Sequence, residues 1–266
     1  MTATVVLTYR AGQTPDRLAN LHAVLAWMAK SPALDVVVVE QDALPTLTAP
    51  LPHPRARMVF AYNPGPFNKA WGFNVGARTA EHPVLVFADA DVIVDGVLDA
   101  AVAHCTEKYA VVKPYRRIVD LTPEQTAEVR AGRHDLAPPA ADAPNREAQG
   151  EFVVLAGGLL VMRAAALRHL GGWDERFRGW GGEDDAMSYA IQRARMPTLE
   201  LDQRPAIHLW HPRSAASTSG HPHYADNRAL AERYRQYSEP ELTRLAEVNR
   251  QVMGQSQKYK PRTPAP

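Results

Sequence analysis

Three apolar runs limit what this chain can fold into: TVVLTY (Thr4–Tyr9), DVVVVE (Asp35–Glu40) and PVLVFADADVIV (Pro83–Val94). Each is rich in β-branched residues; the first two end in polar or acidic ones, and the third carries Asp89 and Asp91. Strands with one wet face alternate apolar and polar residues. Runs without alternation are buried on both faces, as in a parallel sheet. Between the first two runs, TPDRLANLHAVLAWMAKS (Thr14–Ser31) repeats Leu18, Leu21, Val24, Leu25 and Met28 at helical spacing behind a Thr14–Pro15 start signal. NKAWGFNVGARTAE (Asn68–Glu81) reads as a second helix. Strand, helix, strand, helix, strand is the order of a doubly wound α/β sheet.

Beyond the third run the pattern loosens. LDAAVAHCTEKY (Leu98–Tyr109) is helical, and HDLAPPAADAPNREAQG (His134–Gly150) has no period and reads as a long surface loop. EFVVLAGGLLVMRAAALRHLGG (Glu151–Gly172) predicts a strand, a Gly157–Gly158 break, a second strand and a short helix. A helix over about residues 184–195 follows, then strands in TLELDQ (Thr198–Gln203) and at the start of AIHLWHPR (Ala206–Arg213). SAASTSGHPH (Ser214–His223) reads as mobile, YADNRALAERYRQYS (Tyr224–Ser238) as helical and QSQKYKPRTPAP (Gln255–Pro266) as disordered.

The 266 residues suit one large α/β domain or two small ones. A formal net charge of +1 gives no global pull toward nucleic acid or membrane. The single Cys105 excludes an intramolecular disulfide and a zinc site built from paired cysteines, and its segment makes it a small buried hydrophobe. No window reaches the about 18 apolar residues of a spanning helix, and no basic leader precedes the first run. The chain is expected to be cytoplasmic, with no membrane span.

Ligands of an open α/β sheet bind at the carboxyl ends of its strands, which directs attention to Arg10, Glu40, Asp42, Asp89 and Asp91. Alternate strand residues share a face, so Asp89 and Asp91 are expected to point into one pocket, where hard oxygen donors suit Mg²⁺ or Mn²⁺. An aspartate ending a strand can equally cap the next helix, the role expected of Asp95. His208 and His211 follow a strand three residues apart, beside Trp210 and Arg213, and could complete coordination begun by Asp91. FRGWGGEDDAMSY (Phe177–Tyr189) sets Glu183, Asp184 and Asp185 behind Gly181, Gly182 and Trp180. Acids in a first helical turn complement the helix dipole, which accounts for one or two of them. Three crowded carboxylates cannot all keep ordinary pKa values, which favours a general base, and the glycines suit a hinge. No G-x-S-x-G, P-loop or G-x-G-x-x-G occurs.

Three motifs in order carry a family resemblance. FNKAWGFNVGA (Phe67–Ala77) resembles F-N-R-A-x-x-x-N-V-G; FADADVIV (Phe87–Val94) resembles F-x-D-x-D-x-I; GWGGEDD (Gly179–Asp185) resembles G-W-G-G-E-D-D. Together they resemble glycosyltransferases of the GT-A fold, of the β-1,4-galactosyltransferase and bacterial chondroitin polymerase type, over about residues 5–213. The resemblance implies a Rossmann-like three-layer α/β sandwich with a mostly parallel central sheet. One domain would span residues 1–235, with a nucleotide-binding half to about 112 and an acceptor-binding half after it. Residues 236–266 would form a C-terminal helix and flexible tail.

It implies these roles. Arg10, Glu40, Phe67, Lys69, Asn74, Asp89, Gly158 and Trp180 would bind the donor nucleotide sugar; Asp91, His211 and His208 would hold Mn²⁺ or Mg²⁺. Trp180, Glu183 and Asp185 would bind the acceptor, and Asp184 would be the catalytic base. His208 stands where the family often has methionine, and Lys69 where arginine is common, replacing a bidentate fork by a point charge. Leu155, smaller than an aromatic at that position, leaves room for an N-acetylhexosamine. The activity implied is inverting, metal-dependent transfer of a hexose or N-acetylhexosamine from a UDP-sugar to a hydroxyl of a saccharide or glycoconjugate. Alternatives are the same chemistry on a hydroxymethylated base in DNA, with Arg116, Arg117, Arg130 and Arg133 on the phosphates, a non-catalytic nucleotide- or glycan-binding module, and a nucleotidyltransferase.

Overall fold

The computed structural model describes residues 2–135, 145–147, 155, 157–213 and 219–260. In chain order its elements are β1 (Ala3–Tyr9), α1 (Asp16–Met28), β2 (Leu34–Asp42), β3 (Ala56–Tyr62), α2 (Lys69–Arg78), β4 (Val84–Asp89), β5 (Val92–Ile93), α3 (Leu98–Glu107), β6 (Val111–Lys113), β7 (Arg117–Asp120), α4 (Pro123–Arg130), β8 (Asn145–Glu147), β9 (Leu159–Arg163), α5 (Ala164–Leu170), α6 (Glu183–Arg193), β10 (Thr198–Glu200), β11 (Ala206–His208), α7 (Tyr224–Gln236) and α8 (Glu239–Val252).

The main sheet has seven strands in the order β10-β6-β9-β4-β1-β2-β3. All its pairings are parallel except those of β9, which runs against both β4 and β6. The unbroken apolar runs follow from burial on two faces. Val5, Leu7, Val36 and Val38 pack on one side with α1 and α3 residues such as Leu21, Leu25 and Val102. Val6, Val37 and Val39 pack on the other with Trp71, Phe73 and Met187 of α2 and α6. This is the expected α/β sandwich of the GT-A class. Cys105 is buried within it, and burial pushes its thiol up to about 11.

Helix α2 lies close on β1 because of Gly72 and Gly76. A methyl group at the first would collide with Gln41 and Thr8, and at the second with Val6. The glycines of the FNKAWGFNVGA motif are therefore packing residues. They set the helix so that its first residue, Lys69, stands over the carboxyl ends of the strands.

The third apolar run is not one strand. It leaves the main sheet at Asp89, turns at Ala90–Asp91 and enters a second, four-stranded sheet of order β5-β11-β7-β8. Strand alternation stops at the turn, so Asp89 and Asp91 are not alternate residues of one strand. The segments expected to form a loop at His134–Gly150 and a strand at the start of Glu151–Gly172 lie largely outside the described residues, as do residues 214–218 of Ser214–His223. The tail differs from expectation: residues 255–260 pack on α2, with the Tyr259 ring edge-on to Trp71 at 4.9 Å.

Candidate active site

Two clusters flank the Ala90–Asp91 turn. In the first, the Lys69 ammonium lies 3.0 Å from Asp89, 3.3 Å from Asp184 and 3.9 Å from Glu183. Asp89 is held by Gly158 twice: its side chain accepts from the Gly158 N–H, and its own N–H donates to the Gly158 carbonyl, both at 2.7 Å. The Tyr115 hydroxyl braces the same turn, donating to the Gly157 carbonyl and accepting from the Leu159 N–H. The acids arrive on the first turn of α6, whose N-cap Gly182 has φ +92°. A side chain there would be strained and would press on Phe177 and the Asn227 carbonyl.

Burial disfavours charge on Lys69, Glu183 and Asp184, and mutual electrostatics decide the outcome. Glu183 is pushed up to about 7, first by burial and then by the neighbouring Asp184 charge. Burial also raises Asp184, with Asp89 adding to it and Lys69 opposing. Lys69 is desolvated too, but Asp184, Asp89 and Glu183 hold its ammonium well above the ordinary lysine range. Lys69, expected to meet the diphosphate, is thus the counter-charge of three carboxylates.

In the second cluster, Asp91 faces His208 Nε2 at 3.7 Å and His211 Nε2 at 3.3 Å. Burial would raise the Asp91 carboxyl, but His208 and then His211 hold it well below the usual carboxylate range. One donor atom from each of the three residues lies within 4.8 Å of the others. Ligands about 2.1 Å from one cation stand only slightly closer than that, about 3–3.5 Å apart. The Asp120 carboxylate takes His208 Nδ1 at 2.8 Å, leaving Nε2 toward Asp91, the arrangement that orients a ligating imidazole. The residues fit a divalent cation, and two imidazoles with one carboxylate favour a transition ion over Mg²⁺. The Leu209 N–H donates to the Asp91 carbonyl at 2.8 Å, tying the two ligand-bearing segments together.

The other expected residues divide. Trp180 is 45% exposed and stacks on Tyr224 with ring centroids 5.5 Å apart; Asp185 pairs with Arg228 at 2.9 Å. Arg10 lies 5.6 Å over the Phe67 ring, but its guanidinium donates to the carbonyls of Gln41, Asn63 and Gly65, so it braces the loop before α2. Glu40 is buried and accepts from Thr46 and Leu47. Asn74, expected to bind the donor, has its side chain engaged within the fold. Its amide is buried, paired with the Trp173 backbone and the Glu175 carboxylate. Leu155 is packed in the core with Trp71 and Met187. Gly179 to Gly182 form a pinned turn, not a loose hinge: Gly179 N–H donates to the Phe67 carbonyl, and Asn227 donates to the carbonyls of Arg178 and Trp180. Asp95 does not cap α3, whose N-cap is Val97.

The basic residues invoked for DNA are largely spent. Arg130 is bonded to Asp16 and Asn20, Arg133 pairs with Glu128 and Arg116 lies 3.9 Å from Asp202. No nucleic-acid acceptor is supported by this face.

Tyr115 and Asp120 were not singled out by the sequence, nor was Gln41, whose buried amide is bonded to Asn63 and to the backbone of Asn68. Asp120 carried the one available signal, an acid ending the short apolar stretch RIVD.

An α/β enzyme with acidic and histidine clusters at the carboxyl ends of its parallel strands is the class that this sheet and these residues define. More narrowly, the chain belongs to the family described as glycosyltransferase-like family 2, whose sequence pattern spans residues 3–219, and it is a glycosyltransferase. No curated protein matches the chain in sequence. Among solved structures, it is similar to GalNAc-T7 with UDP, GalNAc and Mn²⁺ at 14% identity and a TM-score of 0.56, covering 93% of this chain and 55% of that one. It is also similar to a Drosophila β-1,4-galactosyltransferase 7 mutant in complex with manganese, UDP-Gal and xylobiose, at 15% identity and a TM-score of 0.47, covering 80% of this chain and 72% of that one. Among the described residues no helix is long and apolar enough to cross a membrane.

Proposed function

We propose that the chain transfers a hexose or N-acetylhexosamine from a UDP-sugar to a hydroxyl of a saccharide or glycoconjugate, with inversion at the anomeric carbon. The observation that carries this reading is the convergence of Asp91, His208 and His211 beside the Lys69–Asp89–Asp184 cluster. Both lie at the carboxyl end of β4. The classes of donor and cation agree with the UDP and Mn²⁺ of the GalNAc-T7 complex. Asp91, His208 and His211 would hold the cation, which when bound supplies positive charge against a diphosphate.

The chain's own residues do the rest. Asp89, fixed by Gly158, meets the donor, with Phe67 at its nucleotide end. Trp180 with Tyr224 offers an aromatic face to the acceptor sugar, whose hydroxyls meet Glu183 and Asp185. Asp184 takes the proton of the attacking hydroxyl. The acceptor oxygen bonds to the anomeric carbon from the face opposite the diphosphate; the bond to the diphosphate oxygen breaks, and its electron pair leaves on UDP. Burial raises Asp184, and the Lys69 ammonium opposes that rise.

The test is a screen of UDP-sugars with Mn²⁺ and simple sugar acceptors, reading UDP release. One UDP-hexose or UDP-N-acetylhexosamine is expected to give cation-dependent release. Transfer of UMP with release of a sugar 1-phosphate would identify a nucleotidyltransferase, and absence of turnover with every donor would overturn the proposal.

A further inference from the structure

The family's pattern ends at residue 219, yet the chain later returns to the start of α2. Asn68, buried between Phe67 and Lys69, has two N–H donors and one carbonyl. Its carbonyl accepts from the Trp71 N–H at 2.8 Å, one donor goes to the Glu175 carbonyl and the other to the Tyr259 hydroxyl oxygen, both at 2.9 Å. Every polar group of that amide is therefore used, and one partner comes from 191 positions away.

The segment bearing Tyr259 is anchored at several points. Lys258 donates to the buried Glu175 carboxylate at 2.7 Å, and the Gly254 N–H donates to its other oxygen at 2.5 Å. The Trp71 indole donates to the Gln255 carbonyl at 2.9 Å. Gly254 turns at φ +65° against the Asn74 carbonyl, where a side chain would collide. Asn74 shares Glu175 with this strap. The residue expected at the nucleotide thus anchors the segment that reaches the nucleotide end.

We propose that Tyr259 is a positioning residue for the donor site, acting through Asn68 on the Phe67–Lys69 segment. The inference rests on the donor reading above. Without the phenol oxygen, a buried Asn68 N–H loses its acceptor, which costs more than the bond contributed. The side chain is then free to turn, and the backbone carrying Phe67 and Lys69 loosens. Burial raises the phenol's pKa although Asn68, Arg178 and Arg10 oppose it, so it is a neutral hydroxyl at physiological pH.

Tyr259→Phe keeps the ring against Trp71 and removes only the oxygen; Tyr259→Ala removes both; Lys258→Met loosens the anchor. Each is measured by hydrogen exchange over residues 67–72 without ligand, and by KM and kcat for the UDP-sugar. Faster exchange is expected in all three, with KM raised about three- to tenfold by Tyr259→Phe and further by Tyr259→Ala, and kcat little changed. Unchanged exchange would overturn the strap whatever the kinetics. Faster exchange with unchanged KM would reduce Tyr259 to a structural tether and overturn its positioning role. Failure of the unsubstituted chain to bind UDP with Mn²⁺ would overturn the donor reading itself, and this part of the inference with it.

Discussion

Asp89 and Asp91 differ by one intervening residue and by almost everything around them. Asp89 ends a strand of the seven-stranded sheet and shares a lysine with two other carboxylates. Asp91 lies past the turn that opens the four-stranded sheet and faces two imidazoles. The first surroundings bury their carboxylates and crowd them together, so protons are held more tightly at Glu183 and Asp184 although Lys69 opposes this. The second set a carboxylate against groups that draw it well below its ordinary range. A short acidic motif can therefore serve two electrostatic tasks when a change of sheet falls inside it. One side is suited to handling protons, the other to holding a divalent cation.

The sharpest way to break this division is Asp184→Asn. Transfer is expected to fall about 10²- to 10⁴-fold, the range of a lost general base, with UDP binding nearly intact in calorimetry. A parallel loss of UDP binding would mean that the two sides cannot be separated. Next is Asp120→Asn, which leaves all three candidate ligands in place but weakens the hold on His208. A loss of about 10- to 100-fold in Mn²⁺ affinity is expected, and an unchanged affinity would take His208 out of the centre. His208→Met restores the residue common in the resembling family, and activity with Mn²⁺ should survive within about tenfold of the unsubstituted chain; complete loss would show that the imidazole is required.

The smallest effect is on stability. Glu183 keeps its proton to about pH 7 in the fold against an ordinary value of 4.5, so between those values the unfolded chain gives up a proton that the folded chain retains. Stability should fall as pH rises through that window and level off above it. Thermal melts of the metal-free chain should show this slope, and Glu183→Gln should flatten it. An unaltered slope would place the carboxyl's ionisation elsewhere.

How much of this was legible depends on how many neighbours each segment has. β1, β2 and β4 are covered on both faces, so their residues are uniformly apolar and the strands could be read directly. Among the described residues β3 has a single strand neighbour, and it leaves Met58 and Phe60 exposed at 38% and 40%, which blurs its pattern. The switch at Ala90–Asp91 was invisible because β4 and β5 are both buried and nothing in FADADVIV marks a change of sheet. Glu183, Asp184, Asp91, His208 and His211 stood out by residue type and crowding. Gln41, Tyr115 and Asp120 act through other residues, and their roles follow from distances that a linear pattern does not encode. The strap was hidden for the same reason: QSQKYK has the composition of a loose tail, and only Glu175, Asn68 and Trp71 make it a docked one.

The most direct test of the account is calorimetric titration of UDP into the chain under three conditions: with Mn²⁺, with Mn²⁺ removed by chelation, and with Mn²⁺ added to Asp91→Ala. Binding in the first condition alone is the predicted result. Equal UDP affinity in all three would contradict a cation held by Asp91 and the two histidines at the nucleotide.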